Sequence, residues 1–314
     1  MIFENAFSFL PEILVGSCFL RNDYEASIVN AFSLAVLQSL NARNFPNPLS
    51  AITVERAYSK EGFPASDSTA SPRYPRADLF VNISEIKTAS RGLSFFGWRH
   101  QNWLEAKYFR KNNEGKPKIA STDAILFISE DLFRLCALVD PFITTGLISS
   151  GRYFLHVYEG NPEVFLGAGK RNQKKGYRNW LKSIRSPGIQ DIFIDISSFI
   201  RDSKKFEKAF PSPLNHLKMN AKIQNYIFEQ YGGDESKRIT CVLTRFVSFK
   251  IEMNGYTLEE NERRERSCTP NFAGEEIRKA IGIYMGAKAK EADIPVSADE
   301  QSRIDADASD SSSN

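Results

Sequence analysis

The residues best equipped for chemistry lie in Asn102-Trp103-Leu104-Glu105-Ala106-Lys107-Tyr108-Phe109, where an acid and a base stand two apart in an otherwise apolar run. The pattern predicts a β-strand, with Trp103, Glu105 and Lys107 on one face and Leu104, Ala106 and Tyr108 on the other. A charge on so hydrophobic a strand is costly to bury unless it is paired or coordinates a metal. Something must compensate Glu105. Upstream, Tyr74-Pro75-Arg76-Ala77-Asp78-Leu79-Phe80-Val81 opens a second apolar run around one carboxylate, Asp78. Antiparallel pairing of the two runs brings Asp78 close to Glu105, with Lys107 beside them. Two carboxylates so placed hold a divalent cation, and the amine then sits next to the metal's water.

This arrangement resembles the PD-(D/E)xK signature of the restriction-endonuclease-like nucleases, with Asp78 as the first acid and Glu105-Ala106-Lys107 as the second part. The chain departs from that signature in one place. The family's proline directly precedes the acid, whereas here Pro75 stands three residues before Asp78. The Glu-x-Lys string also recurs at Glu85–Lys87, Glu114–Lys116 and Glu235–Lys237. The last two fall in glycine-containing turns. Glu85, if on the same strand as Asp78, would lie about 23 Å from it, too far to share a metal.

The resemblance implies a fold and a chemistry. The fold is α/β, a restriction-endonuclease-like αβββαβ core whose mixed central sheet is flanked by helices, followed here by a C-terminal α+β extension. The activity is Mg²⁺-dependent cleavage of DNA, with Mn²⁺ as a substitute, in defence against foreign DNA. Asp78, Glu105 and the backbone carbonyl of Ala106 would hold the metal. Lys107 would bond the attacking water and offset charge on the phosphate. The resembled nucleases often add a glutamate from the helix before the sheet, a place that Glu25 occupies. Asn22-x-x-Glu25 reads equally as a capping box, in which the glutamate bonds back to the cap residue's N–H. The partner would be duplex DNA, bound by a homodimer in which two sites cut two strands. Two other readings stay open: an RNA-cleaving relative of the same fold, and a non-catalytic nucleic-acid-binding or assembly subunit of a defence complex.

The elements that must position these residues follow from periodicity. Residues 1–21 are apolar and read as a short helix or strand. Ile28, Val29, Phe32, Ala35, Val36 and Leu40 predict a helix opening at 22–25 and ending before Pro46. Ala51–Tyr58 reads as a strand, and Ser59–Arg73 as a polar loop. After the strands of Asp78 and Glu105, Ile125, Ile128, Leu132, Leu135 and Val139 predict a helix over 119–139, capped by Ser121 or Thr122. Gly151–Tyr158 is a strand. The order is α-β-β-β-α-β. Beyond it, 191–200 reads as strand, 213–231 as helix, 239–251 as a buried strand, 259–266 as a run of mixed charge, and 272–285 as a last helix. The boundaries drawn are 1–160 for the catalytic core, 161–290 for the extension and 291–314 for a disordered acidic tail.

Charge is unevenly spread along the 314 residues. The tail from Glu291 carries a net −6, so the first 290 residues carry +9 behind an overall +3. Lys170, Arg171, Lys174, Lys175 and Arg178, with Lys182 and Arg185, form an acid-free basic run with Tyr177 and Trp180 interleaved. It reads as a grip on a phosphate backbone. The competing reading is a solvated cationic face whose Trp180 belongs to the core. Four scattered cysteines and three histidines argue against a zinc site. The sparse cysteines suit a reducing cytoplasm. No apolar run reaches the roughly 20 residues that span a bilayer.

Overall fold

In the computed structural model, the residues described are 2–16, 25–58, 75–84, 99–112, 114–139, 150–167, 180–230, 238–262 and 266–291. Helices α1 (Ile2–Gly16) and α2 (Glu25–Asn41) lead into strands β1 (Ile52–Ala57), β2 (Arg76–Asn82) and β3 (Gln101–Phe109). Helix α3 (Ser121–Leu138) crosses over to β4 (Ser150–Glu159). The order helix, three strands, helix, strand is the one the periodicity predicts.

The connections explain the strand directions. β1 and β2, and β2 and β3, pair antiparallel, whereas β3 and β4 pair parallel over nine residues each, Gln101–Phe109 against Ser150–Tyr158. A parallel neighbour needs a long crossover, and α3 supplies it. Side-chain alternation on β3 then sorts the core. Trp103 and Phe109 enter a cluster with the buried face of α3, while Leu104 and Ala106 enter a second with α1 and α2. β4 is buried on both faces, as a central strand between two helical layers must be.

The second half of the chain adds to the same sheet. After α4 (Pro162–Leu166) and α5 (Trp180–Ser183) come β5 (Gly188–Asp195), α6 (Ile196–Asp202), α7 (Lys204–Ala209), β6 (Lys218–Gln230), β7 (Ile239–Met253), β8 (Tyr256–Glu260), β9 (Arg266–Thr269) and α8 (Ala273–Glu291). The described strands form one mixed, largely antiparallel sheet in the order β1-β2-β3-β4-β7-β6-β5, with β8 and β9 continuing from β7. Strands of the extension therefore join those of the first 160 residues through the β4–β7 ladder.

Three sequence expectations are corrected. Residues 218–230 are a strand, not a helix, because Met219, Ala221 and Ile223 enter the core while Lys218 and Asn220 face out. The run 191–200 is strand only to Asp195, whose carboxylate caps α6 through the Ser197 N–H. Neither Ser121 nor Thr122 caps α3; the cap position is Ala120, which offers no side-chain bond. Among the described residues, no helix is long and apolar enough to cross a membrane.

Candidate functional site

The site begins where β2 parts from β3. Its ladder with β3 runs from Asn82–Gln101 to Leu79–Leu104 and stops there. On its other side, the β1 ladder pairs Val54 with Leu79 and Arg56 with Ala77, skipping Glu55. Glu55 sits in the left-handed region at φ 51°, a conformation that costs a non-glycine residue of order 1 kcal/mol and kinks β1 opposite Asp78. Asp78 thus falls at a break in both ladders. Its Oδ2 instead accepts the backbone N–H of Ala106 at 2.6 Å. That bond seats the acid of β2 beside the Glu105-Ala106-Lys107 segment of β3.

Glu105 points to the α3 face and is fully buried. The Tyr58 hydroxyl donates to its Oε1 at 2.5 Å, and Arg134 Nη2 donates to its Oε2 at 2.9 Å. Tyr58 is held by stacking on Trp103, with ring centroids 5.4 Å apart. The same Arg134 nitrogen also donates to Asp131 Oδ1, one turn earlier on α3. Lys107 lies between the helical layers. Its ammonium donates to Glu25 Oε1 at 2.9 Å and to the Ala106 carbonyl at 3.0 Å, and stands 3.3 Å from Asp131 Oδ2.

Four carboxylates therefore meet two cations, and ionisation reflects the imbalance. Burial, reinforced by neighbouring acids, raises Glu105 well above the usual carboxylate range. Burial also raises Asp78 and Glu25, with Lys107 opposing it in both, Asp131 adding to both and Asp78 adding to the rise in Glu25. Burial works against the charged form of Lys107, but Asp131, Glu25 and Asp78 outweigh it and hold the ammonium above the ordinary lysine range. A lysine so held stays protonated at neutral pH. It can donate hydrogen bonds and offset negative charge, but it cannot take a proton from water.

The structure brings Asp78, Glu105, Lys107 and Glu25 into one cluster, from β2, β3 and the first residue of α2. Asn22, the other half of the capping-box reading of Glu25, lies outside the described residues. So do Lys170, Arg171, Lys174, Lys175 and Arg178, and the rival pair Glu85–Lys87. Trp180 is buried, as the core reading of the basic run expects, and Arg185 pairs with Glu163. Glu55 is an exposed strand residue paired with Arg76. Sequence reasoning missed Tyr58, Asp131 and Arg134. One signal was present: Asp131 stands three residues after Ile128 and four before Leu135, within the apolar face of its helix.

By chemistry, the donors fit a hard divalent cation. They are carboxylate and carbonyl oxygens with a surplus of negative charge, and one of them, Asp131 Oδ2, is buried without a hydrogen bond. By spacing, no three Asp, Glu, His or Cys side chains among the described residues converge to enclose an ion as they stand. Comparisons with protein-family models, curated proteins and solved structures return no match.

Proposed function

We propose that the chain is a Mg²⁺-dependent deoxyribonuclease with a restriction-endonuclease-like core, cleaving phosphodiester bonds of duplex DNA in the cytoplasm as a defence against foreign DNA. The observation that carries this reading is the bond from the Ala106 N–H to Asp78, which seats the acid of β2 beside the Glu105-Ala106-Lys107 segment of β3. The antiparallel β1-β2-β3 meander followed by a helical crossover to parallel β4 supports it as well.

On this reading Asp78, Glu105 and the Ala106 carbonyl would hold Mg²⁺, for which Mn²⁺ would substitute. The bound ion supplies an acidified water for attack and positive charge for the phosphate oxygens. Lys107 would donate a hydrogen bond to the attacking water and offset charge gathering on the phosphate. Glu25 orients the ammonium through their 2.9 Å bond. Lys170, Arg171, Lys174, Lys175 and Arg178 supply the salt-dependent grip on the backbone.

A second reading has its own support. Both oxygens of Glu105 are engaged, by Tyr58 and Arg134, which suits a non-catalytic nucleic-acid-binding or assembly subunit that retains the scaffold. Incubating the purified protein with duplex DNA, single-stranded DNA and RNA, with Mg²⁺ or Mn²⁺, separates the two. The nuclease reading predicts metal-dependent cleavage of duplex DNA that EDTA stops. Intact substrates under all these conditions would leave the binding reading in its place.

A further inference from the structure

Arg134 contacts its two acids in an unusual way. A guanidinium normally grips carboxylates through its planar fork, two nitrogens to two oxygens. Here one nitrogen, Nη2, reaches both Glu105 Oε2 and Asp131 Oδ1, and Nε is buried without a hydrogen-bond partner. The group thus bridges two carboxylates from one point, as a small cation would. Asp131 adds a second, independent sign. Its side chain is 3% exposed, and its Oδ2 faces the cluster 3.3 Å from the Lys107 ammonium, with no hydrogen bond of its own.

Resting on the divalent-metal reading of this cluster, we infer that Arg134 occupies the place a divalent cation takes between Glu105 and Asp131. Asp131 is then a third carboxylate ligand alongside Asp78 and Glu105, and Arg134 is the group the cation displaces. The charge balance favours this exchange: a divalent ion replaces a single positive charge where carboxylates outnumber cations. The side chain of Arg134 is 21% exposed, so it is not sealed wholly inside the core. Once released, the guanidinium lies next to the site with its fork free for a phosphate. The plain alternative is a pair three residues apart that merely steadies α3. Such a pair has no reason to compete with a metal.

Calorimetric titration of the full chain with Mn²⁺, paired with thermal unfolding, tests the exchange. Removing the competitor in Arg134→Gln should tighten Mn²⁺ binding by roughly tenfold, and Asp131→Asn should weaken it by roughly tenfold. The Mn²⁺-induced rise in Tm should follow the same order. If the wild type binds Mn²⁺ through Asp78 and Glu105 while Arg134→Gln binds no more tightly, the exchange is overturned and the metal site itself survives. If neither the wild type nor Arg134→Gln binds Mn²⁺, both fall together. Should Arg134→Gln not fold, Asp131→Asn decides alone, because unchanged affinity in that variant overturns the inference.

Discussion

Asp78 and Ala106 are joined across two strands by a 2.6 Å bond from a backbone amide to a carboxylate, at the position where both ladders of β2 are interrupted. A ladder bond has been exchanged for a side-chain bond. β3 remains in the sheet through its parallel pairing with β4, so Glu105 and Lys107 stay fixed while β2 diverges to present its acid. The charge gathered by this geometry is only partly balanced, and that imbalance can be measured.

Asp78→Asn should stabilise the metal-free protein, raising its unfolding midpoint in denaturant. The amide oxygen can still accept the Ala106 N–H, while a charge that burial disfavours is gone. The same change should abolish cleavage and weaken Mn²⁺ binding. Denaturant unfolding, with and without Mn²⁺, measures both effects.

Lys107→Met should act in the opposite direction. It strips the counter-charge from Glu25 and from the buried Asp131, and breaking a buried pair costs about 3 kcal/mol. Added Mg²⁺ should restore part of the lost stability but none of the cleavage. Thermal unfolding beside a plasmid-cleavage assay distinguishes this from simple misfolding.

The pH dependence of stability carries a definite sign. Glu105, Asp78 and Glu25 have folded pKa values raised above their unfolded ones, so the native state holds extra protons from about pH 4 up to the raised values. Through that window their contribution to stability falls as pH rises, by up to about 1.4 kcal/mol per pH unit for each proton. Lys107 has the complementary sign: its contribution is complete below the ordinary lysine pKa and is lost only as pH rises through its raised value. Tm followed upward from about pH 4 should therefore decline less steeply in Asp78→Asn than in the wild type. Saturating Mg²⁺ should flatten the wild-type curve. Equal slopes for the two proteins would contradict the assignment of Asp78.

Away from the site, Arg152 provides a structural control. Its fully buried guanidinium joins β4 to β8 through Glu260 at 2.8 Å and also donates to the Val139 carbonyl. Arg152→Met should cost about 3–5 kcal/mol by removing the guanidinium that pairs with the buried Glu260 carboxylate. Because it touches none of the clustered acids, the stabilisation gained from Mn²⁺ should be unchanged.

What could be read in the sequence depended on how local its cause was. Ile28 to Leu40 and Ile125 to Val139 repeat at helical spacing, so α2 and α3 were visible, as were the strands of Asp78 and Glu105. The strand at 218–230 was equally local, since Leu217, Met219, Ala221 and Ile223 alternate strictly, a period of two that a helix over 213–231 does not have. The partners of Glu105 were hidden for a different reason. Tyr58 lies 47 residues before it and Arg134 lies 29 after it, and only the folded sheet and crossover bring them together. The surplus of acid over base, which gives the site its ionisation, is likewise a property of four separate segments meeting.

The most direct measurement is an anomalous-scattering map from crystals grown with Mn²⁺. The account predicts a peak bounded by the carboxylates of Asp78 and Glu105 and the carbonyl of Ala106, with Lys107 alongside. Fully loaded crystals in which Glu105 keeps both Tyr58 and Arg134, with no peak between it and Asp78, would contradict it.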